Sequence, residues 1–161
     1  MAYRHHAAAY GALSGEGARL HGGRWNPPDS FAVVYAAGDT TTVDAEFERL
    51  LVRSGLSPQS LQPRQLTTIN LDLGHVLDLR DDAVLDAIGV RTPDLTGDDP
   101  ALTRRIGEAA HATGYEAVIA PSAAGAGAGA GDVIAIFPAN RRPESRMEVV
   151  GVRSYRPGIA D

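Results

Sequence analysis

The run Leu13-Ser14-Gly15-Glu16-Gly17-Ala18-Arg19-Leu20-His21-Gly22-Gly23-Arg24-Trp25-Asn26-Pro27-Pro28 constrains the fold more than any other segment, because four glycines, two prolines and the chain's one tryptophan fall within it. Glycine lets the backbone approach another group closely and take positive φ, and the prolines stiffen the end of the run. Arg24 stands between them as a planar, permanently charged donor. Two readings fit: an anion clamp centred on Arg24, or a tight structural turn in which Trp25 plugs the core and Arg24 faces solvent.

The rest of the chain narrows the classes open to it. At 161 residues it suffices for one compact domain, so 1–161 reads as a single domain with a last strand and tail from about 145. Apolar residues make up 43% and charged ones 22%, which is the balance of a globular protein and excludes disorder. No stretch reaches the roughly 20 apolar residues of a membrane span, and no apolar signal core comes after Met1-Ala2-Tyr3-Arg4-His5-His6, so a cytoplasmic location with no membrane partner is expected. Cysteine is absent, which removes disulfides and thiolate chemistry. A net charge of -5 argues against nucleic acid as a partner of the chain by itself. An anionic ligand must be met by local arginines, since the sequence contains no lysine.

Ala2 to His5 reads as a strand, Ala7 to Leu13 as a helical turn ending at Ser14-Gly15, and Phe31 to Ala36 as a buried strand. Thr40 to Arg53 comes next as a helix with Val43, Phe47, Leu50 and Leu51 on one stripe, stopped by Gly55. Ser57 to Pro63 is a connection. Gln65 to Leu73 and Val76 to Leu79 read as two pieces of strand with a kink at Gly74. A short helix over Asp81 to Ile88, an acidic loop over Arg91 to Asp99 and a helix over Ala101 to Thr113 come after them. Tyr115 to Ala120 and Asp132 to Phe137 are strands joined by the low-complexity connector Gly125 to Gly131, and Met147 to Tyr155 is a final edge strand. Without regular βαβ alternation the pattern is that of an α+β domain with antiparallel pairing.

Several chemical signatures fail on inspection. Gly125, Gly127 and Ala130 satisfy a loose G-x-G-x-x-A, but they lead into a strand rather than a helix, so there is no helix N-terminus to hold a pyrophosphate. His5, His6, His21, His75 and His111 have no metal-ligand spacing, and no metal is assigned. Ser14 is not on a nucleophile elbow. Two glutamates on the helix after Tyr35 are left, Glu46 and Glu48, which lie roughly 160° apart around the axis. Glu46 is nearer the apolar stripe, between Val43 and Phe47, and is the better half-buried functional carboxylate; a surface pair with Arg49 or Arg53 is its alternative, and Glu48 is the fallback. Ser122, after Pro121 at the end of a late strand, either presents a hydroxyl to a cleft or stabilises a turn.

Tyr3-Arg4, the Leu13 to Pro28 run, Tyr35, the helix with Glu46, and Pro121-Ser122 together resemble the RES-domain family, the toxin halves of Xre/RES toxin-antitoxin pairs. The likeness extends over nearly the whole chain. His5 stands where some relatives carry an aromatic residue. The resemblance implies a fold like that of ADP-ribosyltransferases, with mixed or antiparallel sheets and a few helices around an NAD cleft. It implies an NAD+ phosphorylase or glycohydrolase, with NAD+ as substrate, phosphate as a possible co-substrate and no required cofactor. A mono-ADP-ribosyltransferase and an inert NAD-binding or partner-binding module are the rival readings. In the leading one Glu46 is the catalytic carboxylate, Arg4 and Arg24 clamp the pyrophosphate, Tyr35 encloses the nicotinamide or its ribose, and Ser122 adds a hydrogen bond. The implied partner is a cognate Xre-type antitoxin covering the active site, with room for a homo-oligomer inside that complex.

Overall fold

A computed structural model of the chain describes residues 1–57, 63–124 and 131–155; residues 58–62 and 125–130, which carry most of the two connectors, and 156–161 lie outside the described residues. The strands are β1 (Ala2–Ala7), β2 (Val34–Ala37), β3 (Arg64–Asp72), β4 (Val76–Asp78), β5 (Ala117–Pro121), β6 (Asp132–Ile136) and β7 (Arg146–Ser154). They form one seven-stranded sheet in the order β4-β5-β6-β2-β1-β3-β7. All neighbours run antiparallel except β4 and β5. That parallel pair needs a long crossover. Three helices supply it: α3 (Asp82–Ile88), α4 (Thr92–Thr96) and α5 (Ala101–Ala112).

The two expected pieces of strand form as β3 and β4, but they do not continue one another across a kink at Gly74. β3 and β4 lie five strand spacings apart in the sheet, about 24 Å if it were flat. The link through Gly74 spans roughly 14 Å at full stretch, so the sheet must curl to bring its ends together. Glu116, with no exposed surface, fastens the closure. Its Oε2 accepts the amides of Gly74 and His75 at 2.9 Å each, and its Oε1 accepts that of Arg142 at 3.0 Å. Burial pushes this carboxyl up, but the Ser145 side chain and the three amides outweigh it and hold the group below the ordinary carboxylate range.

Strand alternation divides the core between the two faces of the sheet. Ala2, Val34, Ile69, Ile134, Ile136 and Met147 pack inside the curl. Val118, Ala120, Ala135 and Phe137 point the other way and pack with Trp25, Leu85 and Leu95.

Local reading of the sequence misplaces two helices. Ala7 to Leu13 is not helical: Ala7 continues β1, paired with Arg64, because strand pairing outweighs alanine's preference. The helix α1 (Glu16–His21) lies instead within the glycine-rich run and ends at Gly22, whose φ of 71° is in the left-handed region. The acidic loop over 91–99 contains α4, with Pro93 in its first turn and the Arg91 amide donating to Asp94 Oδ2 at 3.0 Å. The helix α2 (Thr40–Ser54) is capped by Asp39, which accepts the Thr42 amide at 2.7 Å, and stops at Gly55. Its stripe is shorter than expected. Val43 and Phe47 are buried, whereas Leu50 is 44% exposed, because the second half of α2 flanks a cavity instead of covering the core.

Candidate active site

The glycine-rich run is held as a rigid wall by Asn26 and Tyr35. Asn26 has no exposed surface; its Nδ2 donates to the carbonyls of Ala18 at 2.7 Å and Pro27 at 3.1 Å. Tyr35 Oη donates to Asn26 Oδ1 at 2.8 Å and accepts the Trp25 amide at 2.8 Å. Gly23 is necessary here, since a Cβ on it would stand 2.6 Å from the Tyr35 ring. Trp25, 1% exposed, plugs the core below. From α5, Thr103 Oγ1 donates to the Arg24 carbonyl at 2.7 Å and Arg104 Nε to that of Gly23 at 3.0 Å. Arg24 itself reaches across to α4, with Nη1 on the Leu95 carbonyl and Nη2 on that of Gly97, both at 2.9 Å.

The hydroxyl of Tyr35 is therefore engaged as both donor and acceptor, and burial raises its pKa. The residue also lines a cavity at this wall. Tyr35→Phe keeps the ring but strands the Trp25 amide and Asn26 Oδ1; a stability loss of about 1–3 kcal/mol in urea unfolding is expected.

Beside this wall lies a cavity of about 810 Å³. Arg4 from β1, Arg24 from the run, Tyr35 from β2 and Glu46 from α2 all line it. Glu46 is half-buried while Glu48 is exposed. Ser122 stands behind Glu46, 3% exposed, with its Oγ donating to Glu46 Oε1 at 2.6 Å. The alternative of a surface pair between Glu46 and Arg49 or Arg53 is not what forms; Arg49 donates to Asp98 instead, at 3.1 Å.

Among the described residues, six arginines line the cavity, Arg4, Arg24, Arg49, Arg53, Arg64 and Arg104, against Glu46 as the one acidic residue. Of these, the sequence singles out Arg4 and Arg24 alone as anion ligands. Burial, then the charge of Arg64, lowers Arg4 to about 10. Arg4 Nη1 donates to the Ser14 carbonyl at 3.0 Å. Arg49 and Arg53 are legible from their spacing after Glu46 on α2, but Arg64 and Arg104 arrive from distant segments with no local signal. Asn26 gives no local signal either; its amide matters only because Tyr35 folds against it.

His5 accepts from Arg64 Nε at 2.8 Å through its Nδ1 and stacks on Tyr155 at 5.2 Å. His6 points to the other face of β1, with Nε2 2.9 Å from Thr67 Oγ1. Burial, then Arg64 and Arg4, pushes His5 down to about 3 from an ordinary 6.5. The unfolded chain thus binds the extra proton between those values, so this contribution to stability is complete above pH 6.5 and is lost as pH falls toward 3. The urea midpoint is expected to decline on going from pH 8 to pH 5, beginning at roughly pH 6.5. His5→Gln should flatten part of that decline, with buried His6 and half-buried His111, also lowered, retaining the rest. A midpoint unchanged over the interval would contradict the neutral His5.

The RES domain profile matches residues 1–157. Two curated relatives, from Mycobacterium bovis and Mycobacterium tuberculosis, are both named NAD(+) phosphorylase MbcT; each is 35% identical over 127 residues, 78% of this chain and 68% of the relative. Among solved structures, the crystal structure of the M. tuberculosis MbcT-MbcA toxin-antitoxin complex contains a chain that superposes with a TM-score of 0.81 and 32% identity, over 97% of this chain and 84% of that one.

Proposed function

This chain belongs to the RES-domain family, and from that premise we propose that it is an NAD+ phosphorylase, the toxin of a toxin-antitoxin pair, built as one RES domain over 1–161. The observation that carries the reading is a single carboxylate among the described residues, Glu46, in a cavity that six arginines also line. The names of its mycobacterial relatives support the reaction.

Nicotinamide leaves NAD+ as a neutral molecule, so no general acid is needed. The difficulty is the ribose, whose anomeric carbon gains positive charge as the bond to nitrogen breaks. Glu46 faces that charge or holds the ribose hydroxyls, and the Ser122 hydroxyl at 2.6 Å fixes its rotamer without neutralising it. Arg4 and Arg24 take the pyrophosphate. Arg24 spends two of its N–H groups on the Leu95 and Gly97 carbonyls and so is already oriented when substrate arrives. The Tyr35 ring closes over the nicotinamide or its ribose.

The partner is an Xre-type antitoxin that covers the cavity, and the site of action is the cytoplasm, where NAD+ is available. No helix among the described residues is long and apolar enough to cross a membrane.

Incubation with NAD+ in the presence and absence of orthophosphate, with the products read by mass spectrometry, tests the reaction. The expected products are nicotinamide and ADP-ribose 1-phosphate. Free ADP-ribose would make the enzyme a glycohydrolase, a mass increase on a protein would make it a mono-ADP-ribosyltransferase, and bound NAD+ without any nicotinamide release would leave an inert binding module.

A further inference from the structure

Four of the six cavity arginines fall into two pairs on different elements. Arg4 on β1 and Arg64 on β3 act on one another and on His5. Arg49 and Arg53, both on α2, act on Arg24, as does Glu46. Glu46, Arg49 and Arg53 stand at i, i+3 and i+7 and line the cavity together from one stripe of the helix.

The charges do not balance within the protein. Arg49 gives one nitrogen to Asp98, whose side chain is 97% exposed, a pairing of little strength. Among the described residues Arg53 has no ion pair with a carboxylate. Two like charges at i and i+4 also disfavour the helix that carries them. The pyrophosphate of NAD+ brings two negative charges and is answered by one arginine group. The pair Arg49 and Arg53 has no anionic substrate group beside Glu46 if water is the acceptor. It has one if the acceptor is itself a dianion.

The geometry points to a second anion subsite on α2, in which Arg49 and Arg53 hold orthophosphate beside Glu46, while Arg64 joins Arg4 and Arg24 at the pyrophosphate. This assignment rests on the phosphorylase reading. In the reaction an oxygen of hydrogenphosphate bonds to the anomeric carbon as the bond from that carbon to the pyridinium nitrogen breaks. The electron pair of the broken bond leaves with neutral nicotinamide, and the phosphate proton stays on the new ester until solvent removes it. The arginines keep the phosphate dianion from being repelled by the Glu46 carboxylate.

Steady-state kinetics with both substrates varied separate the two groups. Arg49→Gln and Arg53→Gln are each expected to raise the KM for orthophosphate about tenfold or more, with a much smaller rise in the KM for NAD+. Arg64→Gln should show the reverse pattern. Thermal melts of each variant identify any that are misfolded, and Arg49→Lys should recover part of the phosphate affinity. If the α2 variants raise the KM for NAD+ as much as that for phosphate, or leave the latter unchanged, the subsite is overturned while the phosphorylase reading stands. If the wild type releases nicotinamide equally well without phosphate, both fall, and this is seen before any variant is made.

Discussion

Glu46→Gln is expected to reduce nicotinamide release about a thousandfold while the protein folds normally. The amide has nearly the volume of the carboxylate, and the Ser122 hydroxyl, now 2.6 Å from Glu46 Oε1, can donate to an amide oxygen as readily. What is lost, on the proposed mechanism, is the negative charge facing the developing positive charge of the ribose. Because the loss concerns an interaction strengthened in the transition state, kcat should fall with little change in the KM for NAD+. Glu48→Gln is the control. Glu48 is exposed and does not line the cavity, so its variant should retain full activity. Normal release by Glu46→Gln with loss in Glu48→Gln would place the chemistry on the wrong side of α2.

Gly107→Ala is expected to destabilise the fold by about 3 kcal/mol, at the upper end for overpacking. The direction is opposite to what helix propensity dictates, since alanine inside a helix is ordinarily better than glycine by about 1 kcal/mol. A Cβ on Gly107 would stand 2.7 Å from the Trp25 carbonyl carbon and closer still to its oxygen. Neither partner can yield. Trp25 is packed in the core, and the Thr103 and Arg104 bonds tie the Arg24 and Gly23 carbonyls to the same face of α5. The damage should therefore reach the site, with a higher KM for NAD+ alongside the lower urea midpoint. Gly17→Ala in α1 gives the contrast, because nothing lies within 4 Å of a Cβ there and a gain of up to about 1 kcal/mol is expected. Equal effects at the two glycines would show that close packing of α5 on the run does not matter.

Much of the chain can be read locally because its signals are local. Asp39 and Gly55 bound α2, Asp81 and Gly89 bound α3, and each pair satisfies the end groups of its own helix. The angle between Glu46 and Glu48 needs only 100° per residue. The errors lie where a distant segment decides. Ala7 is drawn into β1 by Arg64, 57 positions away in the chain, and the strand pieces on either side of Gly74 separate to opposite parts of a curled sheet held by Glu116. Helix α4 is within reach of a stricter reading, through Thr92-Pro93-Asp94 at its start.

The glycine-rich run shows where sequence stops and tertiary structure begins. By itself the sequence determined that this segment must pass close to other groups, that Arg24 carries a permanent charge within it, and that any anionic ligand would meet arginine; these depend on covalent chemistry and residue type alone. Of its two first readings, the structural turn has its plug in Trp25, while Arg24 lines the cavity, where the proposed clamp would stand. Only the tertiary structure decided that Tyr35 and Asn26 lock the run, that Arg24 is braced on α4, and that Arg64 and Arg104 join the same cavity. Those outcomes depend on strand pairing and helix docking between segments far apart in the chain, and residue spacing along a sequence does not encode the distance between surfaces that fold together.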